Sequence, residues 1–132
     1  KITNLYLDAH YKNIRKAVML ANNNDTILVE RSPLSSIAFM EAYLNKNKNI
    51  INKEVSCLER ELVCISNSNT DKVTFLYLKK DTERALARLN SKPYLKQLAS
   101  KRSLSILSQN MEKNLLRFKK GGIINLLILK HE

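Results

Sequence analysis

The sequence has no tryptophan, two glycines, two prolines and two cysteines, and aromatic residues make up only 6% of its 132 positions. Each scarcity excludes something. Cys57 and Cys64 lie seven residues apart on a stretch that reads as one helix. They share a face about 10 Å from each other, too far for a disulfide. They are expected to be two core thiols of a reducing, cytoplasmic compartment, and no Cys/His spacing suggests zinc. Gly121 and Gly122 are adjacent and precede an apolar run, where a helix-ending turn explains them. So few aromatics, with no Trp among them, argue against a stacking platform for single-stranded nucleic acid. No apolar run approaches the roughly 18 residues needed to span a bilayer, so no segment is expected to cross a membrane. The opening "KITNLYLDAHYKN" has no initiator Met, no apolar signal region and no small-residue cleavage site, so the sequence is expected to start at a cut end.

Positive charge is what the sequence has in excess. The formal net charge is +11, and it is unevenly spread. Residues 1–66 carry 9 basic and 7 acidic side chains, whereas residues 67–132 carry 14 and 5. A half so basic suggests a polyanionic partner: nucleic acid, nucleotide phosphates or an acidic membrane surface. A Lys-rich solvated surface from an AT-biased coding composition accounts for the same number, and both readings stay open.

Periodicity divides the chain into alternating elements of one domain, residues 1–132. Leu7, Ile14, Val18 and Ala21 mark an amphipathic helix over residues 4–21, broken by "NNND" (22–25). "TILVE" (26–30) is a β-branched run of strand length. Ser32-Pro33 reads as an N-cap followed by a first-turn proline, opening a helix through "LSSIAFMEAYL". After the polar loop "NKNKN" (45–49), Val55, Leu58, Leu62 and Ile65 define a helix over 51–65. "NSNT" then turns the chain into a strand over 72–79. Asp81 or Thr82 caps "ERALARLNSK", Pro93 opens an interrupted helical region to about Phe118, and "IINLLILK" (123–130) is a third strand. Continuously apolar strands alternating with helices predict an α/β fold whose parallel sheet is covered on both faces. Ligands of such sheets bind beyond the carboxyl ends of strands, and Glu30-Arg31-Ser32 would sit at one of these. There a carboxylate can hold Mg²⁺ or take a proton, while a guanidinium contacts a phosphate or a substrate oxygen. The plainer alternative is an ion pair at the strand end that holds no ligand.

Two ordered blocks resemble a known family. "ILVERSPLSSIAFMEAYL" resembles the segment of deoxynucleoside kinases and viral thymidine kinases that follows their third strand, where that family shows Glu-Arg-Ser or Asp-Arg-His with a following Pro. "VTFLYLKKDTERALARLNSKPYLKQL" is similar to the next strand and to its "YLR-x-x-PE-x-x-x-x-R" stretch, which leads into the ATP lid. "GGIINLLILK" resembles the last strand. The resemblance implies a partial P-loop kinase-like, three-layer α/β/α fold with a short parallel sheet and covering helices. It also implies ATP and Mg²⁺ as cofactors, a thymidine-like nucleoside as substrate, a cytoplasmic location (the host's, if viral) and, as in many family members, a homodimer. Carried over by position, Glu30 would help place Mg²⁺ and the reacting 5′ oxygen, and Arg31 would hold that oxygen and the incoming phosphate. Ser36 stands where cytidine-preferring members have Asp, and Met40 would pack over the base unless it is an ordinary core Met. Arg88 and Lys92 would begin the basic lid, about residues 84–93, where positive charge stabilises the transferring γ-phosphate.

The departures from the family are as specific as the matches. The phosphate loop G-x-x-x-x-G-K-S/T is absent, as are the second-strand acidic motif with the general base and the central strand of the sheet. The lid is short and lacks its further Arg and paired acids. The expectation is therefore the C-terminal portion of a nucleoside kinase, inactive by itself. Two alternatives remain. "ERSPLSSIAF" is also similar to the "DR-x-x-x-SS-x-A-Y/F" pattern of thymidylate kinases. A non-catalytic basic α/β module that binds nucleic acid would use the positive half directly.

Overall fold

The computed structural model describes residues 2–21, 26–68, 73–79 and 81–130. It is a mixed α/β fold, mostly helical. In chain order it has α1 (Ile2–Leu20), α2 (Pro33–Tyr43), α3 (Lys48–Ser68), β1 (Thr74–Lys79), α4 (Thr82–Asn90), a 3₁₀ helix (Pro93–Leu98), α5 (Lys101–Lys120) and β2 (Asn125–Lys130).

The core is built around α2. Its sequence, "PLSSIAFMEAY", has no polar stripe, and Pro33, Leu34, Ser36, Ile37, Ala38, Met40 and Ala42 are all buried. A helix that is apolar all round must be enclosed, and α1, α3 and α5 each pack against it. On α3 the buried residues are Ile51, Val55, Leu58, Leu62 and Ile65. They recur at alternating steps of four and three, so they form one stripe along the helix. From α1 come Leu7, with Tyr11, Ile14 and Val18 partly buried beside it, and from α5 come Leu115 and Phe118. One polar chain crosses this interior. Asn110 on α5 donates to the Glu41 carboxylate on α2, and Asn114 Nδ2 donates to Asn110 Oδ1 at 3.0 Å. Buried amides stay in an apolar interface only when paired in this way.

Local chemistry sets the element ends. Ser32 Oγ accepts from the Leu34 amide at 3.2 Å, with Pro33 in the first turn of α2. Asp81 Oδ1 caps α4 by accepting from the Glu83 amide at 3.2 Å. α5 ends where the Ile123 amide donates to the Phe118 carbonyl and the Gly122 amide to the Lys119 carbonyl. This double closure requires a left-handed residue, and Gly122 supplies it at φ 70°. The interruption expected after Pro93 is real: a 3₁₀ helix precedes α5, and the Tyr43 hydroxyl, donating to the Leu98 carbonyl at 2.8 Å, ties it to the end of α2.

The sheet departs from expectation. β1 and β2 pair in parallel, with Thr74 opposite Asn125 and Lys79 opposite Lys130, and α4, the 3₁₀ helix and α5 connect them. The expected third strand, "TILVE", does not form: residues 26–31 belong to no helix or strand, and Leu28 is 91% exposed. A strand exists through its ladder, and no described segment pairs with this one. Among the described residues the sheet is covered on one face only. Phe75, Tyr77 and Leu126 pack against the core, whereas Leu76, Leu78, Leu127 and Leu129 are exposed. The "NNND" break, the last two residues of "NSNT" and the expected strand start at Lys72 fall outside the described residues.

The convergence of three helices on α2 makes its contacts, and those of α5, the dominant stabilising term. Leu58→Ala or Phe118→Ala should each lower unfolding free energy by about 3–5 kcal/mol in urea titrations, whereas exposed Leu28→Ala should change it by less than about 0.5 kcal/mol.

Candidate functional site

The Glu30-Arg31 turn enters α2 through a backbone that the sequence alone would not select. Arg31 has φ 65°, in the left-handed region, which costs a non-glycine residue roughly 1–2 kcal/mol. The next three residues, Ser32, Pro33 and Leu34, are buried. The cap and the proline thus fix the helix entry, and Arg31 absorbs the change in chain direction. Both charged side chains of the turn are exposed. The pairing of neighbouring acid and base suggested by the plainer sequence reading does not occur: among the described residues neither Glu30 nor Arg31 makes an ion pair. Retained strain under an unpaired guanidinium is the kind of outlier from which a functional hypothesis starts.

Sequence reasoning did not single out His10, on α1. Its Nδ1 is buried without a hydrogen-bond partner. Burial first, and then the Arg31 charge, push its pKa below the ordinary imidazole value. The imidazole beside the Arg31 charge is therefore neutral at neutral pH. No motif marks this histidine; only the packing of α1 against α2 brings it within reach of Arg31.

The other expected site residues are dispersed. Ser36 and Met40 lie on α2 inside the packed interior, Met40 only 3% exposed among the core side chains. In this arrangement neither opens to a ligand. Arg88 is exposed in the last turn of α4, and Lys92 follows at the start of the 3₁₀ helix. The fit to ATP and Mg²⁺ is poor. The sequence has no glycine-rich phosphate loop, and the described residues hold no cluster of three or more His, Cys, Asp or Glu side chains placed to bind a metal. Glu30 alone contributes one exposed carboxylate.

A cavity of about 370 Å³ lies between α1 and α3, lined by Tyr11, Arg15, Glu54, Cys57, Arg60, Glu61 and Cys64. Some of its groups pair with one another, but the Tyr11 hydroxyl is buried without a hydrogen-bond partner. Arg15 Nε donates to Glu61 Oε1 at 2.9 Å, and its guanidinium lies 5.7 Å from the centre of the Tyr11 ring. Arg60 donates to Cys57 Sγ at 3.3 Å. Burial, and then Glu54, push the Tyr11 phenol pKa up, so it stays protonated. The cysteines are free, but they are not the core thiols expected: Cys57 is half-buried and Cys64 exposed.

No protein-family model, no curated protein and no solved structure matches this chain. Among the described residues, no helix is long and apolar enough to cross a membrane.

The depressed His10 pKa fixes the sign of a pH effect. The unfolded chain binds this proton at about pH 6.5 and the folded chain only at lower pH, so this contribution to stability is complete above 6.5 and is lost as pH falls towards the folded pKa. Urea midpoints at pH 7.5 and 5.5 should therefore differ more for the native sequence than for His10→Gln. Equal differences would remove His10 from the balance.

Proposed function

We propose that this chain forms the acceptor side of a nucleoside kinase, with Glu30 and Arg31 holding the 5′ oxygen of a thymidine-like nucleoside. The observation that carries the reading is the turn itself: an acid and a base, exposed and unpaired, set against the entry of a buried helix on a strained backbone. Arg31 is suited to bind an oxygen that gains negative charge as a phosphoryl group is transferred, because a guanidinium offers several charged N–H donors to it. Glu30 beside it accepts a hydrogen bond from the hydroxyl. The match of "ILVERSPLSSIAFMEAYL" to the nucleoside kinase pattern supports the same assignment.

The parallel pairing of β1 with β2 around a helical crossover is compatible with the edge of a larger three-layer α/β/α sheet, which belongs to this proposal. So do the lid roles of Arg88 and Lys92, the cytoplasmic location and a homodimer. Ser36 and Met40 support the reading less, since both are enclosed. Phosphate-donor binding needs a glycine-rich loop that this sequence does not contain, so apart from the lid roles of Arg88 and Lys92 the chain's own residues account for the acceptor half of the reaction.

The test is made in the protein as the cell produces it, with ATP and Mg²⁺ and with thymidine or thymidylate as acceptor. Thymidine 5′-phosphate is the expected product; phosphorylation of thymidylate alone would move the assignment to a nucleotide kinase. Arg31→Gly separates function from backbone strain, because glycine adopts φ 65° freely. It should melt no lower than the native protein yet lose roughly 10²–10³-fold in kcat, with little change in KM. Full turnover in Arg31→Gly would discard the site.

A further inference from the structure

The longest stretch of the sequence without an acid is strongly basic. From Arg84 to Met111 the sequence has six basic residues and no acid. Arg88, Lys96, Lys101 and Arg102 are exposed, Lys92 is half-buried, and none of the five makes an ion pair among the described residues. They follow one another along the end of α4, the 3₁₀ helix and the first turn of α5, and both α4 and α5 have further contacts that hold this segment together. Lys101 and Arg102 stand at the start of α5, where the helix dipole disfavours cations, so local structure does not explain them.

An aromatic side chain sits within this charge, contrary to the sequence expectation. Tyr94 falls between Lys92 and Lys96 and is 70% exposed. The segment is anchored behind it: the Tyr43 hydroxyl holds the Leu98 carbonyl, and Tyr43 itself stacks on Phe39 at 4.8 Å between ring centres. The 3₁₀ helix is therefore tied at its end to α2 and carries one exposed phenol ring.

We propose that this surface binds single-stranded nucleic acid, with Tyr94 stacking on one base and Arg88, Lys92, Lys96, Lys101 and Arg102 lining the phosphate path. A ring flanked by cations suits an unpaired base, whose faces are open, better than a duplex, whose bases are stacked. An acidic membrane surface would require an exposed apolar face to bury. The leucines of this segment, Leu86, Leu89, Leu95 and Leu98, are half-buried and leave Tyr94 as its one large exposed apolar group. The proposal does not depend on the kinase reading. Its tests use Tyr94 and Lys96, which lie outside the lid, so either proposal can fail without the other.

Fluorescence anisotropy with labelled oligo-dT and oligo-U 20-mers, duplex DNA of equal length, and phosphatidylserine vesicles will decide it. Expected is saturable single-strand binding at 50 mM salt that weakens with a log–log slope of about −2 to −3.5, equivalent to three to five phosphates neutralised. The oligo-dT and oligo-U arms identify whether DNA or RNA is preferred. Tyr94→Ala should weaken binding about tenfold while Tyr94→Phe keeps it. Lys96→Gln should lower the slope by about 0.7. The proposal is overturned by no binding at low salt, by duplex or vesicles binding as tightly, or by Tyr94→Ala binding like the native chain. Circular dichroism of each variant confirms that a surface change has left the fold intact.

Discussion

The fold depends on the burial of α2. Of its eleven residues only Glu41 carries a charge, so the helix is stable only when enclosed, and the three longer helices are arranged as its enclosure. Each of those brings a single apolar stripe, as surface helices do. Because the enclosure begins at Ser32, the residues just before it cannot be buried and cannot continue the helix. Glu30 and Arg31 are thereby held in the open at its entrance, and the left-handed backbone of Arg31 follows from where the helix must start. The candidate site is thus a by-product of how the core is closed, made specific by the residues that occupy it.

Local features of the fold were legible in the sequence. The α3 stripe, the Ser32 cap with Pro33, the Asp81 cap and the paired glycines all depend on residues within a few positions of one another, and each stands where the sequence places it. Features that depend on distant partners were not legible. "TILVE" has every mark of a strand, but a strand is completed by a neighbour, and no described segment provides one. The Asn110–Glu41 contact joins residues far apart in sequence, and neither amide nor carboxylate would be assigned to the interior by composition. His10 became visible only through its approach to Arg31. The candidate site was half legible: the charged pair was, whereas the enclosure of Ser36 and Met40 was not, because a Met on a helix face reads alike whether it packs on a ligand or on other helices.

Charge is used in two ways along the chain. In the helical core it joins elements: Arg15 meets Glu61 between α1 and α3, Glu59 meets Arg117 between α3 and α5, and Lys79 meets Glu112 between β1 and α5. Exposed pairs of this kind contribute little energy, but they favour one orientation of the helices over others. Arg88, Lys92, Lys96, Lys101 and Arg102 make no such pair among the described residues. The distinction between the two regions is one of partners and not of the number of cations.

The open face of the sheet has a colloidal consequence. In the parallel register Leu76 lies beside Leu127 and Leu78 beside Leu129, so four exposed leucines form a continuous apolar plane next to strand edges that no other described strand covers. Two such planes would adhere, and unprotected edges would extend the ladder between molecules. What opposes this is the net charge of +11, which makes every pair of molecules repel. That repulsion reaches about 30 Å at 0.01 M ionic strength and about 3 Å at 1 M. The opposing force is thus long-ranged, and concentrated salt removes it while leaving the leucine plane intact.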